Sequence, residues 1–571
     1  MSTDAVTEAT GAGLRPHPGR PAPSLLVRLR AALARHGGYR LLALIVLPGI
    51  VFALISVVMN QLGIVGWDTP AHLYKTAILQ EQKAIFWDNN WYGGAYDIIG
   101  YGLVFYLVAQ FIDYTALVVL SAAVLPVLFY LYMRRSYGDT SYWPAVSLVL
   151  VLAIYLANGQ DPFLFAMALM MAAMVLLAYR HPILAVLPAA AAIFANPVAM
   201  VVGAVFLIAE LIARPSVRGR YLRALLYLSP VLFARILVGV IFYERGTYVY
   251  DLSSVLLFVG YGVVGYLFVR LSRDPERQAK GVLFLCFIGF AVACALVPGN
   301  PIGFDIGRFF FLFGLPLLVS IRRLLLPAVV SGFFILAVAG GQMVPPASQY
   351  FRVAEQPSTQ AAIFTPALSF AARHYDPNYR FDVVALQTHW EAYYFPVNGF
   401  PITRGWYRQA DALHNQVLSG SFSAAAYTAW LRQMGVKYVF LPNAPLDWSG
   451  PRETHILQTA ADFTRIWGDS EWTVYELKNP SPMAVGLNGQ PDAKVVSLLH
   501  QAIYLQVPRA GDYLIKITYS PYWQITEGTG SLSQSSGGND FLVLHAQRAG
   551  FFGIQVRVTL QSSLRELVQI F

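Results

Sequence analysis

Up to residue 340 the chain alternates long apolar segments with short polar ones, and after that the pattern becomes mixed. A helix needs about 20 apolar residues to cross the hydrocarbon core of a bilayer. The short segments on either side of Asn196 and Pro197 could form two helices or one broken helix. The pattern predicts an α-helical polytopic membrane domain at 41–340, with about 11 transmembrane helices at 41–59, 114–133, 142–157, 163–179, 183–195, 197–213, 222–243, 252–270, 281–297, 309–321 and 324–340.

From residue 341 the sequence has the composition of a water-exposed polypeptide. Residues 341–485 mix helical periodicity with short β-branched and aromatic runs, which predicts an α/β domain. Residues 486–571 alternate apolar and polar positions between Gly- and Ser-rich turns, which predicts a β-sandwich-like domain. The predicted helices are 361–374, 423–434 and 453–463, and the predicted strands include 381–386, 437–441, 472–477, 513–519 and 554–560.

The composition fits a membrane protein and excludes several other classes. The 571 residues are 56% hydrophobic and 12% charged, whereas soluble proteins carry about 25% charged residues. This excludes a purely soluble enzyme. Residues 1–40 are rich in Pro, Gly, Ala and Arg and predict a disordered cytosolic tail. Cys286 and Cys294 are the two cysteines of the chain, too few for a disulfide framework or a Cys-rich metal site.

Basic residues lie beside alternate ends of the predicted spans. Arginines cluster after the second span, at 214–223, at 270–280 and at 322–323, and all of these loops fall on one side if the spans alternate. Because basic loops stay in the cytosol, we expect a multi-pass plasma (inner) membrane protein with a cytoplasmic N-terminus and extracytoplasmic C-terminal domains. The net charge of +9 then reflects topology, and we expect no nucleic-acid partner.

Candidate chemistry concentrates in the large first external loop, residues 60–101. Asp68 directly precedes a predicted amphipathic helix, 71–85, that carries His72 and Lys75 and that we expect to lie along the membrane surface. Asp88 and Trp91 follow in an aromatic-rich turn. A carboxylate can act as a general base or bind a metal, cations can bind a lipid phosphate, and aromatic faces can stack on a sugar.

Three further residues outside this loop are candidates for substrate binding. Arg308, with Asp305 beside it, enters a predicted span from the external side, where a guanidinium can grip a phosphate. Arg235 lies inside a predicted span, and an arginine at that depth usually faces a cavity or a partner. The external turn 158–161 carries an asparagine and an aspartate, and we interpret it as a connecting loop.

The segment WDTPAHLYKTAILQEQKAIFWDNNWYGG (67–94) resembles the first-loop region of GT-C glycosyltransferases, which use polyprenyl-phosphate sugars. With GVKYVFLPNAP (435–445), WTVYELKNP (472–480) and YSPYW (519–523), it resembles more closely a group of prokaryotic multi-spanning proteins labelled 6-pyruvoyl-tetrahydropterin-synthase-related. The resemblance implies that Asp68 is the catalytic acidic residue. No second carboxylate directly follows Asp68, so a divalent metal (Mg, Mn or Ca) would need Asp88 as its other ligand.

The expected function is that of an inverting glycosyltransferase with a GT-C-like fold. It would move a sugar from a polyprenyl-phosphate donor to a cell-envelope glycan, lipid or protein acceptor, in contact with membrane lipid. Asp68 would be the catalytic residue, and substrate would be bound by His72, Lys75, Asp88, Trp91, Arg235, Asp305 and Arg308. Two alternatives are a transporter or flippase of lipid-linked sugars and a non-catalytic envelope-glycan assembly protein.

Overall fold

The structure, a computed structural model, describes residues 38–64, 66–82, 85–96, 100–242, 250–297, 302–354, 356–536 and 540–564. The predicted N-terminal tail lies outside the described residues up to residue 37. The first 354 residues are mainly helical. Their helices are α1 (Leu42–Gln61), α2 (Thr69–Gln82), α3 (Leu103–Ala109), α4 (Tyr114–Tyr137), α5 (Trp143–Ala157), α6 (Asp161–Ala178), α7 (Pro182–Ala195), α8 (Pro197–Ala213), α9 (Arg218–Ile241), α10 (Leu252–Arg270), α11 (Arg277–Leu296), α12 (Gly307–Val319) and α13 (Ala328–Ala354).

A helix occupies each of the eleven places where the apolar pattern predicts one. Seven helices in the described part of the chain are long and apolar enough to cross a membrane, namely α1, α4, α6, α9, α10, α11 and α13. Helices α5, α7 and α8 are apolar but shorter. Asn196 separates α7 from α8, and its side chain accepts a hydrogen bond from the Val198 amide (2.9 Å), so it caps a new helix.

The arginine-rich loops meet at one end of the helical bundle. Arg322, after α12, donates to the carbonyl of Tyr137 at the end of α4 (3.3 Å). Arg214, after α8, pairs with Glu276, which precedes α11 (3.0 Å). We call this end the basic end. The loop after α1, the α5–α6 turn and the start of α12 lie at the opposite end, which we call the site end.

A side chain of α13 completes the backbone hydrogen bonding of α12. Pro316 lies inside α12, where it cannot donate an amide hydrogen to the preceding turn. The Gln342 amide bonds to the backbone just before this proline: its Oε1 accepts from the Leu315 amide (2.7 Å) and its Nε2 donates to the Phe311 carbonyl (2.5 Å). Gly314 makes this approach possible, since a Cβ there would lie 3.1 Å from the Gln342 oxygen.

Helix α13 continues to Ala354, past residue 340 where the sequence pattern places the end of the membrane domain. The α/β domain follows, with a four-stranded sheet in the order β3-β4-β6-β5 in which only the β3–β4 pair is parallel. Its elements are α14 (Ala361–His374), β3 (Arg380–Val383), α15 (Glu391–Val397), α16 (Arg408–His414), α17 (Ala424–Met434), β4 (Val436–Pro442), α18 (Gly450–Thr459), β5 (Phe463–Gly468) and β6 (Trp472–Leu477).

The C-terminal region is a β-sandwich of two antiparallel four-stranded sheets within the described residues, ordered β12-β13-β10-β7 and β11-β14-β9-β8. The strands are β7 (Ala484–Gly486), β8 (Lys494–Leu499), β9 (Ala502–Val507), β10 (Gly511–Thr518), β11 (Trp523–Glu527), β12 (Gly530–Gln534), β13 (Phe541–Ala546) and β14 (Gly550–Val556). Tyr513, Ile515 and Ile517 fill its core, as their alternation predicts. The predicted strand 554–560 is wrong beyond Val556, where β14 ends.

The first loop is enclosed between the helical bundle and the C-terminal domains. Most residues of α2 are buried, and Tyr74 and Ile78 share one apolar cluster with Phe395 of α15 and Phe105 of α3. The prediction that this helix lies along a membrane surface is therefore wrong: both of its faces are covered by protein. A hairpin of β1 (Trp87–Asp88) and β2 (Ala95–Tyr96) follows, with Trp87 in the sandwich core.

Candidate functional site

Close backbone packing fixes the position of Asp68. Its amide donates to the carbonyl of Asn158 in the α5–α6 turn (3.0 Å). Two glycines permit this approach: a Cβ at Gly66 would lie 2.2 Å from the Ala157 carbonyl oxygen, and one at Gly159 would lie 2.4 Å from the Thr69 hydroxyl. Gly159 also has a φ of +73°, which favours glycine. The loop after α1 and the α5–α6 turn are therefore in close backbone contact.

The carboxyl group of Asp68 is buried and retains its proton more strongly than an ordinary aspartate. Asp68 is 8% exposed, and burial raises the pKa of its carboxyl group from 3.8 to about 7, with smaller contributions from Asp305 and Asp161. The positive charge of Arg308 opposes this rise. A general base is most effective when its pKa is near the working pH, so this carboxyl suits proton transfer at neutral pH.

Arg308 is the cation of the Asp68 site. It lies in the first turn of α12, donates through Nε to Asp305 (2.9 Å), and stacks its guanidinium over the Phe163 ring at 5.0 Å. Its Nη1 is buried and makes no hydrogen bond to any described residue. The charges of Asp305 and Arg308 therefore act on Asp68, and Nη1 of Arg308 is a donor that an anionic ligand could use.

His72 and Lys75 extend the site along α2. His72 Nδ1 shares a 2.7 Å hydrogen bond with the Tyr106 hydroxyl, while its buried Nε2 has no partner among the described residues. Burial and the charge of Lys75 lower the pKa of His72 to about 3, so the imidazole is neutral. The Lys75 ammonium lies 4.8 Å from the centre of the Tyr407 ring.

Sequence reasoning missed part of this site. Asp161 raises the pKa of Asp68, and its Oδ2 accepts from the Tyr114 hydroxyl (2.6 Å), while its Oδ1 and the Asn158 Oδ1 are buried without a partner in the described chain. Tyr101 stacks parallel to His72 at 6.1 Å, and burial raises its pKa to about 12. The sequence did contain a signal for Asp161. Two polar residues lie in a short turn between apolar helices, and this turn is predicted on the same side of the membrane as Asp68.

Asp88 and Trp91 have structural roles that the sequence did not reveal. Asp88 is buried and accepts hydrogen bonds from the Tyr74 hydroxyl (2.8 Å) and the Asn90 amide (3.0 Å), and it contacts His500 Nδ1 at 2.8 Å. Trp91 donates its indole N–H to the Ala392 carbonyl (3.0 Å). Both also line a small cavity of about 30 Å³ whose other walls include Lys75, Tyr92, Ala95, Tyr96, Tyr407 and Ala410.

The residues at the site do not fit a divalent metal held by Asp68 and Asp88. Asp88 is committed to Tyr74, Asn90 and His500, whereas the charged groups that act on Asp68 are Arg308, Asp305 and Asp161. The described part of the chain contains no group of three or more His, Cys, Asp or Glu that could hold a metal ion. The predicted metal pair is therefore not brought together, and Arg308 supplies the positive charge instead.

Arg235 lies away from this cluster. Its Nη2 donates to the carbonyl of Gly100 at 3.0 Å, so the side chain reaches from α9 to the end of the first loop. Gly100 precedes Tyr101, which stacks on His72. Arg235 is thus placed to hold the segment that carries Tyr101. The predicted direct role of Arg235 in substrate binding stays a prediction.

A second buried polar network lies where the parallel strands of the α/β domain end. Arg404 pairs with Asp411 (2.6 Å) and lies 3.6 Å from Glu453, and Glu453 accepts from the Tyr427 hydroxyl (3.1 Å). Burial raises the pKa of Glu453 to about 7. Nearby, the His389 ring contacts the Trp67 ring edge-on at 5.7 Å, so this network adjoins the residue that precedes Asp68.

No protein-family model matches this chain. No curated protein matches it either. The groups available for chemistry are therefore the buried carboxyl of Asp68, the guanidinium of Arg308 and the aromatic cavity beside Lys75.

Proposed function

We propose that this protein is an integral membrane glycosyltransferase that uses a polyprenyl-phosphate-linked sugar as donor. One observation carries the proposal: at the site end of an apolar bundle, the Asp68 carboxyl with a pKa near 7 lies beside an arginine whose Nη1 is buried without a partner in the described residues. This combination supplies a base for a hydroxyl and a donor for a phosphate. Helices of membrane length support a lipid-linked substrate.

The reaction follows from these two groups. Asp68, when ionised, accepts the proton of an acceptor hydroxyl, and the oxygen forms a bond to the anomeric carbon of the donor sugar. The bond from that carbon to the phosphate oxygen breaks, and the electron pair leaves with the lipid phosphate. Arg308 stabilises the charge that develops on the phosphate, with Lys75 as a second cation nearby. A single displacement of this kind inverts the anomeric configuration.

The aromatic side chains beside Lys75 offer stacking faces for a sugar ring. The cavity there holds about 30 Å³, room for water only, so in this proposal its walls move apart when the sugar binds, and Trp91, Tyr96 and Tyr407 supply faces on which a pyranose can stack. We place the acceptor there, as the terminal sugar of a cell-envelope glycan or a lipid. In this proposal the site end is extracytoplasmic and the basic end faces the cytosol of a plasma (inner) membrane.

The test compares Asp68→Asn with the matched variant Asp113→Asn in a deletion strain. Asp113 is exposed at the same end of the bundle and caps α4, a role that asparagine also fills. We expect Asp113→Asn to restore the envelope glycan and Asp68→Asn to fail while reaching the same membrane level. Mass spectrometry of glycans and polyprenyl-phosphate sugars should show unused donor with Asp68→Asn.

Two results would overturn the proposal. Normal glycan in the Asp68→Asn strain would exclude Asp68 as the base. Loss of the donor from the external leaflet, rather than its accumulation there, would identify a flippase that moves the lipid-linked sugar without forming a bond.

A further inference from the structure

Arg380, the first residue of β3, is a buried cation with incomplete hydrogen bonding. Arg380 is fully buried (0% exposed), and its Nη1 donates a hydrogen bond to the carbonyl of Met434 at 2.9 Å. Its Nε and Nη2 are also buried and have no hydrogen-bond partner among the residues that the structure describes. Buried polar groups are nearly always paired, so two unpaired donors on one guanidinium indicate a missing acceptor.

The surroundings of Arg380 add positive charge and little negative charge. Burial lowers the pKa of Arg380 to about 10, and the group that favours its charge is the phenol of Tyr375. Lys516 of β10 is a second buried basic group: burial lowers its pKa to about 7, and the charge of Arg380 contributes to this. The Lys516 ammonium is already bonded to the Arg432 carbonyl (2.6 Å) and the Ser481 hydroxyl (2.6 Å).

A glycine of the first-loop hairpin packs against the guanidinium. Gly93, in the turn of the β1–β2 hairpin, has a φ of +79°, and a Cβ there would lie 3.6 Å from Arg380 Nη1 and 3.3 Å from the Met434 methyl group. The Gly93 carbonyl accepts from the Thr518 amide of β10 (2.9 Å). Arg380 therefore lies where the first-loop hairpin, the α/β domain and the β-sandwich meet.

We propose that a small inorganic anion of chloride size binds beside Arg380, accepts hydrogen bonds from its Nε and Nη2, and joins these three parts of the molecule. An anion is favoured over water because water leaves the charge of the buried guanidinium uncompensated, and a buried unpaired charge is strongly unfavourable. Full burial of the guanidinium restricts the ligand to a small ion. The site is separate from the Asp68 site and does not depend on the proposed transferase activity.

The test measures the thermal stability of the purified full-length protein while chloride replaces gluconate at constant ionic strength. An anion that binds only the folded state raises Tm by about 2 °C at about a hundredfold excess over its Kd in a chain of this length. We expect a saturable rise for the unaltered protein and none for Arg380→Met. Arg373→Met, which removes an exposed arginine of α14, should keep the rise.

An anion series on the unaltered protein provides a second measurement if Arg380→Met does not fold. Bromide should stabilise the protein as chloride does, whereas sulfate at equal ionic strength should not, because the full burial of the guanidinium excludes an ion of that size. Equal stabilisation by all of these salts would overturn the proposal, because it would show screening rather than a site. A chloride-dependent rise that persists in Arg380→Met would overturn it as well.

Discussion

Replacing Asp68 by asparagine should stabilise the folded protein at alkaline pH while it removes the proposed base. The fold keeps the Asp68 carboxyl buried with a pKa of about 7, whereas in the unfolded chain its pKa is 3.8. As pH rises from 3.8 to 7, the unfolded state loses this proton first, so folding stability falls across that interval and levels off above it. Asparagine does not titrate and should not show the loss.

The size of this stability change follows from the pKa shift of Asp68. A difference of about 3 pKa units corresponds to about 4 kcal/mol, since each unit is worth about 1.4 kcal/mol. With an unfolding entropy of about 2.1 cal/mol/K per residue, a chain of this length should change its Tm by about 3 °C. The variant should therefore melt about 3 °C above the unaltered protein at pH 8 and at nearly the same temperature at pH 4.

The assay is thermal unfolding of the purified protein in detergent across pH 4–8, and it requires no knowledge of the substrate. Asp113→Asn is the matched control, because it removes an exposed carboxylate at the same end of the bundle and should leave the pH profile unchanged. A constant Tm difference between Asp68→Asn and the unaltered protein at all pH values would refute the reasoning, because it would show that Asp68 does not titrate in this interval.

Three further predictions follow from the site and its supports. The rate of sugar transfer should fall about tenfold per pH unit below pH 7, because only ionised Asp68 accepts a proton, and a flat rate from pH 5 to 7 would contradict this. Gly159→Ala should lower the free energy of unfolding by about 1–3 kcal/mol and reduce sugar transfer, because the added methyl group would meet Thr69. Gly289→Ala, at an open helical position of α11, should be tolerated in the same unfolding and transfer assays. Glu453→Gln should reduce the loss of Tm between pH 4.5 and 7, because the raised pKa of Glu453 makes its ionisation destabilising, and an unaltered Tm profile would contradict that role.

Much of the secondary structure followed from local patterns. The predicted helix 361–374 coincides with α14, and the predicted strand 472–477 coincides with β6, because burial on one face imposes a period that the sequence records. Val558 and Leu560 continue the alternation of β14 yet lie beyond it. An alternation of apolar and polar residues does not show where the partner strand stops, and Val556 is the last residue of β14 that pairs with β11.

The site was predictable only in part. Asp68, His72, Lys75 and Arg308 were recognisable from their types and their place beside apolar segments. The role of Asp88 was not, since it depends on His500, more than 400 residues away in the sequence. Likewise, the raised pKa of Asp68 depends on the close packing of two turns at glycines, and a single sequence does not show which turns meet.

The Gln342 side chain has a consequence for how the chain assembles. Its two hydrogen bonds attach the backbone of α12 directly to a side chain of α13, and a bond of this kind contributes about 0.5–1.5 kcal/mol. We therefore expect α12 to reach its full stability only after α13 has been synthesised and has docked against it. Because Arg308 lies in the first turn of α12, the phosphate-binding end of the proposed site should form late in biogenesis.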